Sequence, residues 1–200
     1  MRKKQPQSKN NRGGQKGANQ LRIIGGRWRG RKLSFPTIEG LRPTPDRVRE
    51  TLFNWLADDI FGARCLDLFS GSGALGFEAL SRGAGHVDMV DSAASASQQL
   101  RANAALLEAD NLKTHSTNAL HFLAAQSTPY QIIFLDPPFH QGLMADCLDA
   151  IIKQALLMPK AWLYLEMAID EALPAVPAEW RLHREKNAGQ VCYRLFAVGH

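Results

Sequence analysis

A chain of 200 residues with 45% hydrophobic content suits one domain with a real core and room for a small appendage. No apolar run reaches the length of a membrane span, and the basic N-terminus lacks the apolar stretch of a secretory signal, so a cytoplasmic protein without a membrane partner is expected. The net charge of +5 is uneven: residues 1 to 32 hold eleven of the 24 Lys and Arg and none of the 19 acids, so a basic arm precedes an acidic body.

In chain order, residues 1 to 20 read as a disordered basic arm rich in Gln, Asn, Lys, Gly and Ser. Its composition fits a segment that tracks a phosphate backbone and a merely solvated tail equally well. LRIIGG and RKLSF predict two short strands around the basic turn GGRWRGR. LRPTPDRVRETLFNWLADDI predicts a helix capped by Thr44, with Pro45 at its first position. Val48, Leu52, Phe53, Trp55 and Leu56 form its apolar stripe.

From Arg64 strands and helices alternate. RCLDLFS, HVDMVD, LKTHST, QIIFLD and AWLYLEMA read as strands. GALGFEALSRG, AASASQQLRANAALL, NALHFLAAQ and the MADCLDAIIKQALL region read as helices between them. Such alternation predicts a parallel sheet covered by helices on both faces. WRLHREKNAGQVCYRLFAV departs from it, reading as two strands joined by a turn at Asn187 to Gly189, so the sheet ends in an antiparallel hairpin. Cys65, Cys147 and Cys192 are far apart and form no CxxC pair, so neither a metal site nor a disulfide framework is expected.

LDLFSGSGALG places Gly71, Gly73 and Gly76 in G-x-G-x-x-G spacing, which lets a backbone turn sharply from strand to helix beside a ligand. Alone, the motif fits a dinucleotide, a nucleoside or a bare turn. Two acids sharpen it. Asp67, inside the strand, would repel a pyrophosphate and suits an amine. Asp91, ending the next strand, suits ribose hydroxyls. Ribose, amine and positive centre together describe S-adenosylmethionine. Asn118 can meet its adenine edge, cap the next helix, or do both.

IIFLDPPFHQG ends a buried strand in Asp136, Pro137, Pro138 and Phe139. The prolines fix φ and leave carbonyls free to accept. Asp136 and a neighbouring carbonyl then form an acceptor pair for an NH2 group, and Phe139 can stack on the ring that carries it, a contact worth about 1–3 kcal/mol. His140 follows at the expected pocket mouth. A base in a duplex must be flipped out to reach such a corner, which favours unpaired RNA.

Together these residues resemble the RsmD-type 16S ribosomal RNA guanine-N2 methyltransferases. The likeness runs from about Leu21 to Phe196 and rests on LRIIGGRWRGRKL, LRPTPDRVRETLFNWL, LDLFSGSGALGFEALSRGA, DPPF and LHREKNAGQVCYRL. It implies an α/β, Rossmann-like S-adenosylmethionine methyltransferase fold. The sheet would have seven mostly parallel strands and an antiparallel C-terminal hairpin, with a small N-terminal hairpin and helix added. The arm, the extension at residues 21 to 60 and the catalytic body at 61 to 200 would be its parts. It implies methyl transfer from S-adenosylmethionine, without a metal, to the N2 amine of guanine 966 in the 16S rRNA of an assembled or assembling 30S subunit, by a monomer.

Carried over, Asp136 to Phe139 form the amine corner. Asp67, Gly71 and Gly73 line the methionine end, Asp91 holds the ribose, and Phe69, Asn118 and Ala119 complete the cofactor set. Relatives more often have Glu where Asp91 stands. Arg27, Arg29, Arg31 and Lys32 then become candidates for phosphate contact, and Trp28 for stacking on a base. Arg42, Arg47 and Arg49 either contact RNA or brace the fold through Asp46 or Glu50. Other readings are an amine methyltransferase of DNA adenine or protein glutamine, a nicotinamide-dependent oxidoreductase, and a non-catalytic RNA-binding module. The RPTPDRVRE and HREKNAGQV segments, Asp67 and DPPF weigh against the first two.

Overall fold

The computed structural model describes residues 19–38 and 43–199. A small antiparallel sheet pairs β1 (Asn19–Arg22) with β2 (Lys32–Phe35), Leu21 opposite Leu33. Asn19 and Gln20, expected in the arm, thus belong to a strand; the arm up to residue 18 lies outside the described residues. The helix α1 (Asp46–Trp55) follows. Its N-cap is Pro45, whose carbonyl accepts from Val48 and Arg49, and no side chain caps it. Thr44 therefore does not cap the helix as expected. It is buried, and its carbonyl accepts from Arg49 Nε at 3.2 Å.

The large sheet has seven strands in the order β5-β4-β3-β6-β7-β9-β8. They are β3 (Arg64–Asp67), β4 (His86–Asp91), β5 (Leu112–Ser116), β6 (Tyr130–Leu135), β7 (Leu157–Ala168), β8 (Trp180–Ala188) and β9 (Val191–Val198). The first five pair in parallel, and β9 lies antiparallel between β7 and β8. Strand β7 starts four residues earlier than AWLYLEMA suggested, because Leu157 pairs with Tyr130 across a bulge near Pro159.

The helices α2 (Ala74–Ser81), α3 (Ala94–Leu107), α4 (Ala119–Ala125) and α5 (Leu143–Lys153) connect the parallel strands. Two hydrophobic clusters fill the two faces of the sheet. One joins Leu52 and Phe53 of α1, Phe77 of α2 and Leu100 of α3 to Phe134 and Tyr164; the other joins Phe122 of α4 and Leu148 of α5 to Ile133 and Leu163. Leu21, Ile23, Trp28, Leu33 and Phe35 belong to the first cluster, so the N-terminal extension shares its core with the sheet. The three cysteines are buried as free thiols. Among the described residues no helix is long and apolar enough to cross a membrane.

The connections from β3 run to β4 and β5 on one side, then cross to β6 on the other. In an open α/β sheet that reversal opens a crevice at the strands' carboxyl ends.

Candidate active site

A cleft of about 1120 Å³ occupies that crevice. Asp67, Phe69, Gly71, Asp91, Asn118, Ala119, Asp136, Pro137, Pro138 and Phe139 all line it, although 72 positions separate the first from the last. The sheet's topology assembles them.

The turn after β3 is held from both ends. Gly71 has φ +48° and donates its N–H to Asp91 Oδ2 at 2.8 Å. Ala93 donates to Asp91 Oδ1 at 2.7 Å, so two backbone bonds aim this carboxylate. Gly76 donates to Asp67 Oδ2 at 2.9 Å. Gly73, expected beside a ligand, instead makes the turn itself. Its φ is +80°, its N–H bonds Ser70 O at 2.6 Å, and a Cβ there would come within 2.7 Å of Phe77 and Leu100. Asn118 accepts from Leu120 and His121 N–H and caps α4, while still lining the cleft.

Burial pushes the Asp67 carboxyl up to about 7; the charge of Asp91 adds to this and the Gly76 N–H opposes it. Burial also raises Asp136 well above the usual carboxylate range, followed by the charges of Glu166 and Asp67. Glu166 is the residue that reading the sequence missed. It is 4% exposed, lines the same cleft, and is pushed by burial to about 7. A signal for it does exist, since AWLYLEMA is an apolar strand interrupted by a single acid. Thr44, Pro45, Gln190 and Val191 also line the cleft and were not anticipated as site residues either.

Other expectations change. Trp28 is 7% exposed and packs into the core beneath Arg27, whose guanidinium lies 5.5 Å from the ring centroid. Its ring is not offered to a base. The backbone N–H of Trp28 donates to Ser81 Oγ at 2.9 Å, which ties the basic turn to α2. Arg27, Arg29, Arg31 and Lys32 do remain exposed around it. Arg49 is buried and bonds Asp46, Glu78 and the carbonyls of Thr44 and Arg22, so it braces the fold. Arg47 is exposed, and Arg42 lies outside the described residues. His140 is exposed beside Asp170 and Glu171 rather than in the cleft wall.

The cleft thus holds four carboxylates, Asp67, Asp91, Asp136 and Glu166, and no Lys or Arg among its described lining residues. Such a site repels a pyrophosphate and suits a ligand with positive centres.

The family model described as conserved hypothetical protein 95 matches residues 21–197. The ribosomal RNA small subunit methyltransferase D of Escherichia coli is 53% identical over 180 residues, covering 90% of this chain and 91% of that protein. The chain belongs to the RsmD-type methyltransferase family. A solved structure described as putative methyltransferase yhhF from Escherichia coli superposes with a TM-score of 0.84 at 52% identity, over 90% of this chain and 98% of that one. More distantly, an RNA methyltransferase from Salinibacter ruber, solved with S-adenosyl-L-homocysteine, shares the fold at a TM-score of 0.61 and 14% identity, over 78% of this chain and 94% of that one. The RsmD-type fold is the Rossmann-like methyltransferase sheet expected from the sequence, with its antiparallel C-terminal hairpin.

Proposed function

We propose that this protein transfers a methyl group from S-adenosylmethionine to the exocyclic N2 amine of a guanine in small-subunit ribosomal RNA, guanine 966 of 16S rRNA, within an assembled or assembling 30S subunit. One observation carries the reading: a cleft with four carboxylates and no Lys or Arg among its described lining residues, placed at the sheet's reversal point in a chain of this family. The family relative's name supplies the small-subunit RNA, and the resemblance of DPPF and HREKNAGQV supplies the guanine amine.

When bound, the donor supplies a methyl carbon made electrophilic by its sulfonium. The chain's residues do the rest. Asp67 receives the donor's ammonium, and Asp91, held by Gly71 and Ala93, receives the ribose hydroxyls. Asp136 and a carbonyl of the proline pair accept the hydrogens of N2, directing its lone pair at the methyl in line with the bond that breaks. Phe139, half-buried in the cleft wall, stacks on the base. As the carbon–nitrogen bond forms, N2 releases a proton. The half-buried Asp136, more basic than an ordinary carboxylate, accepts it. Arg27, Arg29, Arg31 and Lys32 hold backbone phosphates outside the cleft. The extension at residues 21 to 60 is the RNA-facing part and the body at 61 to 200 the catalytic part.

The test is methyl transfer from labelled donor to small subunits of cells lacking the protein, with the modified nucleotide mapped. Label on N2 of one guanine, lost in Asp136→Ala, is the expected result. Label found only in DNA or protein overturns the reading.

A further inference from the structure

Three neighbouring strands bring carboxylates to one corner. Residues two apart on a strand share a face. The register sets Asp67 of β3 beside Phe134 of β6, and Phe134 beside Tyr164 of β7. Two residues on, Asp136 and Glu166 follow Phe134 and Tyr164, just past the Leu135–Leu165 rung. Both line the cleft.

Glu166 is fixed from below. The Tyr164 hydroxyl donates to Oε2 at 2.8 Å. Tyr164 is itself fully buried, edge-on to Phe134 at 6.3 Å. Oε1 makes no hydrogen bond to another described residue, and Glu166 lines the cleft. Thus one oxygen is locked to the core and the other is left for a ligand.

An apolar strand that keeps such an acid bears a desolvation cost. Donor binding does not require it, since Asp67 and Asp91 already stand at that end. The base does. Guanine presents two adjacent donors on its pairing edge, N1–H and the N2 amine. Adenine presents an acceptor, N1, beside its amine. Two side-by-side carboxylates match the first edge and oppose the second.

We propose that Glu166 is a specificity residue of the base site, its Oε1 accepting the N1–H of guanine while Asp136 accepts from the N2 amine. This rests on the guanine-N2 reading above. It adds that the guanine edge is read by a carboxylate outside the DPPF tetrad. The groups that face Glu166 are Tyr164 on its own strand, Tyr193 opposite it on β9, and Asp136 on β6, which in turn feels the charge of Asp67 on β3. The Arg49–Glu78 pair of α1 and α2, at 3.4 Å, neutralises itself. Ionised Glu166 is the stronger acceptor for N1–H, and protonation both weakens that bond and adds an O–H that opposes the guanine donors, so activity falls on acidification. The Tyr164 hydroxyl bond lowers the pH at which this happens.

The experiment compares wild type, E166Q and Y164F in methyl transfer to small subunits from cells lacking the protein. Each is assayed across the pH range, with S-adenosylhomocysteine titrated calorimetrically into each. The expected result for E166Q is a kcat/KM lower by about tenfold or more, near the discrimination one site group supplies. Its donor-product affinity is unchanged and its acid limb is displaced to lower pH. Y164F displaces the acid limb to higher pH. An E166Q enzyme equal to wild type in rate and limb overturns the proposal. So does an E166Q enzyme that loses S-adenosylhomocysteine, since the carboxylate would then serve the donor. Should E166Q fail to fold, an unmoved limb in Y164F overturns it instead. Failure of the underlying guanine-N2 reading is separately visible, as wild-type label at another atom.

Discussion

Gly76 donates its backbone N–H to Asp67 Oδ2 at 2.9 Å, across the turn that joins β3 to α2. That bond orients a carboxylate which burial otherwise holds near neutrality, at about 7. A cationic ammonium needs the charged form. Affinity for S-adenosylhomocysteine should therefore fall as pH drops through about 7, and Asp67→Asn should weaken it about tenfold or more at alkaline pH and flatten the dependence. Calorimetric titration at several pH values checks this. An Asp67→Asn protein with wild-type affinity would remove Asp67 from the donor site.

How much of this is legible in the sequence depends on how local the signal is. The alternating strands and helices, the glycine turn, and the carboxylates at the ends of β3, β4 and β6 are local patterns, readable from texture alone. Trp28 misleads because an aromatic residue among arginines looks like a stacking platform; only the docking of the turn onto Ser81 shows where the ring goes. Glu166 escapes such reading because its importance lies in the register of β7 beside β6, which no short window contains. Thr44 and Pro45 likewise reach the cleft only once α1 is packed against the sheet.

Arg49 offers a test of how the extension is held. It is 1% exposed and joins Asp46 at 2.6 Å, Glu78 at 3.4 Å and the carbonyl of Arg22 at 2.9 Å. Removing it leaves buried acceptors short of a donor. Arg49→Met should cost about 3–5 kcal/mol of stability. The exposed Arg47→Met should stay within about 0.5 kcal/mol. Urea midpoints at fixed pH separate the two, and equal midpoints would refute a bracing role.

The cleft carboxylates also set how the ligand-free protein responds to pH. Asp67 and Glu166 both reach about 7 when folded and are ordinary acids when unfolded. Between those values the folded state binds more protons, so stability decreases as pH rises. The stability they contribute is fully present below the unfolded values and lost on passing upward through about 7. Thermal unfolding without ligand should thus show a higher Tm at mildly acid than at alkaline pH. E166Q, which cannot ionise, should raise the alkaline Tm by a few degrees, on the order expected of one removed buried charge. A Tm that rises steadily with pH would contradict this.

Arg27 and Arg29 project from the turn between β1 and β2, while Trp28 between them anchors that turn to α2. The turn is therefore a rigid cationic knuckle rather than a loose loop, and charge can be changed there without disturbing the core. Reversal to Glu at both positions should leave S-adenosylhomocysteine affinity and Tm unchanged and weaken binding to small subunits. Each phosphate that is no longer neutralised reduces the slope of log affinity against log salt by about 0.7–0.9. Two such phosphates therefore predict a slope shallower by about 1.5. Trp28→Ala should act the other way round, lowering Tm through weakened core packing, with RNA affinity falling only as the turn loosens. Salt-dependent filter binding beside thermal unfolding distinguishes the two variants. A double reversal with an unchanged salt slope would mean that the knuckle does not meet phosphate.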